Sequence, residues 1–365
     1  MNVRGTHYRS AWWDDAEQAL RIVDQTALPH EFRIATLRTS QEVSDAIRTM
    51  RVRGAPLIGV VAAYGLALAL RADANAEEHA VRDLLATRPT AVNLRWALDR
   101  VRSEIRGAPP GERAARALAC AERLADEDVE VCRAIGAHGL GLARGLWNQR
   151  PPDKQRLEFM THCNAGWLAT VDWGTALSCV YQTHDAGIPV HVWVNETRPR
   201  GQGARLTAWE LGQHGVPHTV VADVSAGHLL QRGQVDLCVV GSDRTTASGD
   251  VCNKIGTYPL ALAARDNGVP FYVALPYSSI DWEIKDAVAE IPIESRDARE
   301  VTHVAGRAAD GSQQTVAVTP SGTPALNFAF DVTPSRLVSA LITERGVFAV
   351  DPEGLGALAR ARSKA

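Results

Sequence analysis

No two cysteines stand as C-x-x-C, no H-E-x-x-H occurs among the eleven histidines, and no G-x-G-x-x-G opens a helix after the first strand of the carboxy-terminal half. The first absence leaves six cysteines (Cys120, Cys132, Cys163, Cys179, Cys238, Cys252) in apolar or mixed surroundings. That pattern fits neither a disulfide framework nor a zinc site and points to a reducing cytoplasm. The second absence argues against a metal and the third against a dinucleotide cofactor. A basic excess is lacking too: the net charge is -3, so counterion release gives no drive toward nucleic acid. No apolar run reaches the roughly 20 residues of a membrane span. The most apolar stretch, residues 55–70, is bounded by Arg53 and Arg71, contains Pro56, Gly59 and Gly65, and reads as a buried helix with no membrane partner. The first residues carry Arg4, His7 and Arg9 without an apolar core, unlike a secretory signal.

What is present describes a globular chain. At about 150 residues per domain, 365 residues suggest two. Hydrophobic residues are 45% and charged residues 22%, enough apolar material for a core without staples. From residue 40 to 147 the apolar residues fall at helical spacing, as in Val92, Leu94, Trp96, Ala97, Val101 and Ile105. Proline pairs at 109–110 and 151–152 punctuate this pattern, and the second pair sets the expected boundary: a mainly helical domain over 1–150 and an α/β domain over 151–365. After it, short apolar runs at 157–161, 190–194, 218–222, 235–241, 271–275 and 315–318 alternate with helical segments. The helical segments stop near Gly187 and Pro189, Gly215 and Pro217, and Gly268 and Pro270. This rhythm predicts a parallel sheet with helices on both faces.

In such a sheet ligands gather beyond the carboxyl ends of the strands. Four strands run there into polar residues: His162-Cys163-Asn164, Asn195-Glu196-Thr197-Arg198, Asp223, and Ser242-Asp243-Arg244. Cys163 is expected between a strand and a helix, where helical N–H groups would favour a thiolate that serves as base, nucleophile or electrostatic partner. Asp243 is expected in shelter from water, with its pKa raised toward that of a general acid or base. Asp250 is the expected cap of the following helix. Arg53-Gly54-Ala55-Pro56 precedes a helix with proline in its first turn, a pattern that suits an anion. The 198–204 loop with Gln202, and Asn253-Lys254 at an expected helix start, are further ligand candidates.

Taken together these residues form a pattern. The sequence resembles the methylthioribose-1-phosphate isomerases, a family related to the regulatory subunits of eukaryotic translation initiation factor 2B. The likeness is carried by segments 53–59, 88–94, 161–166, 196–204, 241–244, 249–258 and 330–334, in family order. It implies a Rossmann-like carboxy-terminal domain behind a smaller, mainly helical domain with a short sheet, and a homodimer that needs no metal or nucleotide. It implies Asp243 as proton donor and Cys163 as support of the transition state. Substrate contacts are implied for Arg53, Gly54, Ala55, Arg88, Gln202, Asn253 and Lys254. The implied reaction converts a 1-phosphorylated aldose into the ketose phosphate in methionine salvage. A 5-deoxyribose 1-phosphate or ribose 1,5-bisphosphate isomerase is the near alternative, and a sugar-phosphate or nucleotide sensor the distant one. Asn195, Val224-Ser225, Tyr277 and Phe328 depart from the family pattern.

Overall fold

The computed structural model describes residues 1–88 and 92–361. Pro89, Thr90 and Ala91 of the 88–94 motif lie outside the described residues. In the amino-terminal half, Ala11–Asp14, Ala19–Val23 and Ile34–Leu37 form a short antiparallel sheet. The helices described after it are α1 (Ser40–Arg48), α2 (Ala55–Ala72), α3 (Glu77–Leu85), α4 (Val92–Ile105) and α5 (Pro110–Gln149). α1 starts where Thr39 and Glu42 satisfy each other's backbones: Glu42 N donates to Thr39 Oγ1 at 3.1 Å and Thr39 N to Glu42 Oε2 at 3.1 Å. α2 is apolar all round and therefore belongs inside. Among the described residues it is the one helix long and apolar enough to cross a membrane, and 83% of it is buried in the protein. Leu57, Val61 and Leu66 pack there with Leu98 and Val101 of α4 and Ala121 and Leu124 of α5.

The carboxy-terminal half is Rossmann-like. Its central sheet runs His218–Val221, Val190–Asn195, Leu157–Thr161, Leu237–Val240, Phe271–Ala274, Ala340–Thr343, Gly346–Ala349, parallel except for the last pair. Alternation sends Phe159, Val192 and Leu237 to one face and Met160, Cys238 and Val240 to the other, so both faces need cover. A second sheet joins Ile280–Asp281, Arg244–Thr246, Val251–Lys254 and Phe330–Thr333. α5 serves both halves: Ala121 and Leu124 belong to the helical core, Ile135 and Ala143 to the core under the sheet.

Four local expectations are corrected. The run at 315–318 is no sheet strand: Gln313–Ala317 pairs with His303–Arg307 in an exposed hairpin, and Ala340–Thr343 takes the place beside Phe271–Ala274. A run that short carries the same alternation whether its apolar face is covered or not. The helix expected directly after Cys163 begins only at Ala176, behind a 3₁₀ turn at Trp167–Ala169. Asn253 and Lys254 end a strand, and their helix starts at Thr257; Asp250 caps no helix, its Oδ1 accepting from Ser335 N at 2.7 Å.

One buried group makes the fold sensitive to pH. Asp128 of α5 accepts a hydrogen bond from Val171 N at 2.7 Å, and burial, partly opposed by that bond, pushes its carboxyl from the ordinary 3.8 up to about 7. A carboxyl with a raised folded pKa holds its proton more tightly in the native state. Its favourable share is complete below the unfolded pKa and is lost as pH rises to the folded one. Asp128→Asn keeps an acceptor and removes the charge. In scanning calorimetry the variant is expected to gain about 2 °C or more over the parent at pH 8 and much less at pH 4. A gain of equal size at both pH values would refute this account.

Candidate active site

The sheet order places the first strand of the domain, Leu157–Thr161, beside the fourth, Leu237–Val240. Connections leave these two strands in opposite directions, and the crevice opened at such a switch point is where ligands bind. Cys163 follows one strand and Asp243 the other. They line one cleft with Arg53, Gly54, Ala55, Arg88, Gln202, Asn253 and Lys254, whereas the strand-tip residues Glu196, Thr197, Arg198, Asp223 and Arg244 stay outside its lining.

Cys163 sits in the left-handed backbone region, φ +65°, rare for a residue with a side chain. It is held on both sides: its N–H donates to Thr197 Oγ1 at 2.8 Å, and Thr207 Oγ1 donates to its carbonyl at 2.7 Å. The expected helix N-terminus is absent, and a hydrogen bond from the Asn164 backbone N–H is what remains of that kind to favour a thiolate. Burial pushes the thiol up, Arg53 and Lys254 pull it back, and Asp243 adds to the rise. The net push on the thiol is upward, against the thiolate expected from the sequence. Asp243 follows expectation. Its backbone N–H is tied to Cys252 O at 3.0 Å, and burial raises its carboxyl against the pull of Lys254, Arg88 and Arg53.

The cations come from three elements. Arg53 donates through Nε to Gln25 Oε1 at 3.0 Å, through Nη1 to Asn164 O at 2.9 Å and through Nη2 to Asn164 Oδ1. All three acceptors are neutral, and among the described residues no carboxylate pairs with it. Its neighbour Gly54 has φ +99°, and a Cβ there would lie 2.4 Å from Ala169 O, so only glycine brings the start of α2 this close. Arg88 pairs with Glu294, Nη2 to Oε2 at 3.2 Å, while its Nε is buried without a partner. Lys254 donates to Ala329 O at 2.8 Å and lies 4.4 Å from the centre of the Phe330 ring; burial lowers its pKa. Gln202 Oε1 is a buried, unpartnered acceptor beside the cleft. Asn253 is fixed by its bond to Thr257 Oγ1 at 3.0 Å. Among the described residues no group of three or more His, Cys, Asp or Glu side chains is placed to hold a metal ion.

Sequence reasoning gave no role to the residues that hold these in place, Asp331 appearing there only within the 330–334 segment. Glu210, fully buried, accepts from Asn164 Nδ2 at 2.9 Å, Trp167 N and Leu168 N at 2.8 Å, and Tyr181 Oη at 2.9 Å. Asp331 accepts from Gly256 N at 2.7 Å and Tyr258 N at 3.1 Å. The available signal was an acid inside an apolar helix, Trp209-Glu210-Leu211, which needs partners to be tolerated.

With this geometry in place, comparison with known proteins is informative. The model of the initiation factor 2 subunit family matches residues 51–350. The chain belongs to that family. Within it, the methylthioribose-1-phosphate isomerase of Rhodospirillum centenum is 61% identical over 98% of this chain and 96% of its own length. That of Methylorubrum populi is 59% identical over the whole of both. Among family structures, 5-methylthioribose 1-phosphate isomerase from Pyrococcus horikoshii OT3 superposes with a TM-score of 0.82, at 37% identity, over 99% of this chain and 100% of that one. The delta subunit of translation initiation factor eIF-2B from A. fulgidus superposes at 0.78, also at 37% identity, over 96% and 100%.

The support around Asn164 yields a prediction. Glu210→Ala strands four buried donors. It is expected to lower the free energy of unfolding by at least about 2 kcal/mol, read from the urea midpoint; an unchanged midpoint would mean that these donors find other partners.

Proposed function

We propose that this chain is an aldose-ketose isomerase that converts 5-methylthioribose 1-phosphate into 5-methylthioribulose 1-phosphate in methionine salvage. The observation that carries the reading is a raised carboxyl, Asp243, and a thiol, Cys163, in one cleft with Arg53 and Lys254. The cations and the start of α2 suit a phosphoryl group, which several charge-assisted hydrogen bonds would anchor.

A phosphate on the anomeric oxygen blocks spontaneous ring opening, so the enzyme must supply an acid. Asp243 gives its proton to the ring oxygen as the bond from that oxygen to C1 breaks. Hydrogen then passes from C2 to C1 through an enediol: the Cys163 side chain, reacting as the thiolate that Arg53 and Lys254 favour, takes the C2 proton and returns it to C1. The C2 hydroxyl loses its proton as the ketone forms, and that proton restores the acid. No hydrogen is gained or lost overall, as an isomerisation requires. The raised carboxyl is what the first step needs, because an acid ionised near pH 4 would have no proton to give at neutral pH. The reading extends to the domain division at residues 150 and 151 and to a homodimer working in the cytoplasm on a free sugar phosphate. Sedimentation at the mass of one chain would count against the dimer.

The test is turnover of methylthioribose 1-phosphate by purified protein without added cofactor. Asp243→Asn and Cys163→Ala are each expected to lower kcat by about 100-fold or more. Because burial raises the Asp243 pKa, its acid form persists above the usual carboxylate range; kcat should fall as pH climbs through that raised value, and the residual activity of Asp243→Asn should lack this limb. Near-normal turnover in either variant removes that residue from the chemistry.

A further inference from the structure

Cys163 and Thr197 lie at the tips of neighbouring parallel strands, whose register pairs Thr161 with Val194. Both have side chains and both adopt the left-handed region, at φ +65° and +64°. Such a conformation costs free energy at a non-glycine residue and persists only where the surroundings enforce it. Here the enforcement can be traced. The Thr197 hydroxyl accepts the Cys163 N–H at 2.8 Å and donates to Asn195 O at 3.0 Å. Thr197 is in turn fixed by Asp223, at the tip of the next strand, whose two carboxylate oxygens accept from Thr197 N and Arg198 N at 2.7 Å each. The ends of three adjacent strands are thus laced in one line, Asp223 to Thr197 to Cys163. Thr197 is fully buried and does not line the cleft, so it has no route to a substrate.

We propose that Thr197 is a positioning residue: its hydroxyl, seated on Asp223, fixes the strained backbone of Cys163 and thereby aims the thiol into the cleft. The inference rests on the reading of Cys163 as part of the chemistry. A hydroxyl is required because one atom must accept from Cys163 and donate to Asn195 at once. Serine can do both, whereas valine, of the same shape, can do neither.

The experiment compares Thr197→Val with Thr197→Ser in two assays. In turnover, valine is expected to lower kcat about 10-fold or more with KM changed less than about threefold, since sub-ångström misplacement acts on the reacting geometry; serine restores kcat to within about threefold of the parent. In the second assay, iodoacetamide labels Cys163 at one fixed pH and mass spectrometry follows the site; the other five cysteines are buried and provide the internal control. Valine is expected to change the Cys163 rate by about fivefold or more and serine not to. Equal kcat and equal labelling in the two folded variants overturn the proposal. If the valine variant does not fold, Asp223→Asn, which keeps an acceptor for only one of the two N–H groups, replaces it in both assays under the same criteria. A normal kcat in Cys163→Ala would sink the catalytic reading alone, because labelling tests the Thr197 contact without turnover.

Discussion

The site depends on a half-buried guanidinium with no carboxylate in contact among the described residues. Arg53 leaves water for three neutral acceptors, two of them on Asn164 across the cleft and one on Gln25. Taking a charge out of water is costly unless every donor is met, and the surroundings are organised around meeting them. Gly54 adopts a conformation that lets α2 start against the Ala169 carbonyl. Asn164 is gripped from behind by Glu210, which also pins the turn that follows. Glu210 thus stands one residue behind the guanidinium, and among the described residues no carboxylate makes an ion pair with Arg53. That is the condition under which a cation keeps its attraction for an incoming anion instead of spending it on a resident partner. Arg88, already paired with Glu294, is the contrast within the same cleft.

The charges of the cleft regulate one another. Burial raises Asp243 and Cys163 and lowers Lys254, and each of these groups feels the others. Desolvation and Coulomb attraction oppose each other here, and desolvation wins for the carboxyl and the thiol. A negative phosphoryl group bound beside Arg53 and Lys254 would weaken the two influences that pull Asp243 toward ionisation. Binding would then raise the pKa of the acid further, so the substrate helps to keep in place the proton that its own ring oxygen needs.

Much of this was legible in the sequence because the relevant signals are local. Strand tips that run into polar residues, and helices that stop at glycine and proline, located the sheet and its crevice. The resemblance gathered the cleft residues, and the structure brings all of them together. What failed was context. Ala165-Gly166-Trp167-Leu168-Ala169 looks like a helix start, but Glu210, more than forty residues on, captures the N–H groups of Trp167 and Leu168 and fixes a 3₁₀ turn instead. Gly256, at φ +100° against the His162 ring, delays the next helix and leaves Asn253 and Lys254 on a strand. The roles of Gln25, Glu210 and Asp331 could not be read because their partners are distant in the chain, even though Glu210 stands out among apolar neighbours and Asp331 falls in the 330–334 segment.

The departures from the family pattern can now be weighed by where they fall. Phe328 is half exposed and Val224 almost wholly so, and neither lines the cleft. Tyr277 is buried, but its hydroxyl donates to Leu358 O at 2.8 Å, which directs the ring toward the last helix and away from Cys163 and Asp243. Asn195 alone touches the walls of the site, its Nδ2 lying 3.3 Å from His162 Nδ1 while His162 Nε2 meets Ile255 O at 2.8 Å. A ring that donates through Nε2 and accepts at Nδ1 is neutral, which agrees with the downward push of burial on its pKa. The carboxamide thus sets a tautomer behind the cleft and adds no charge to it.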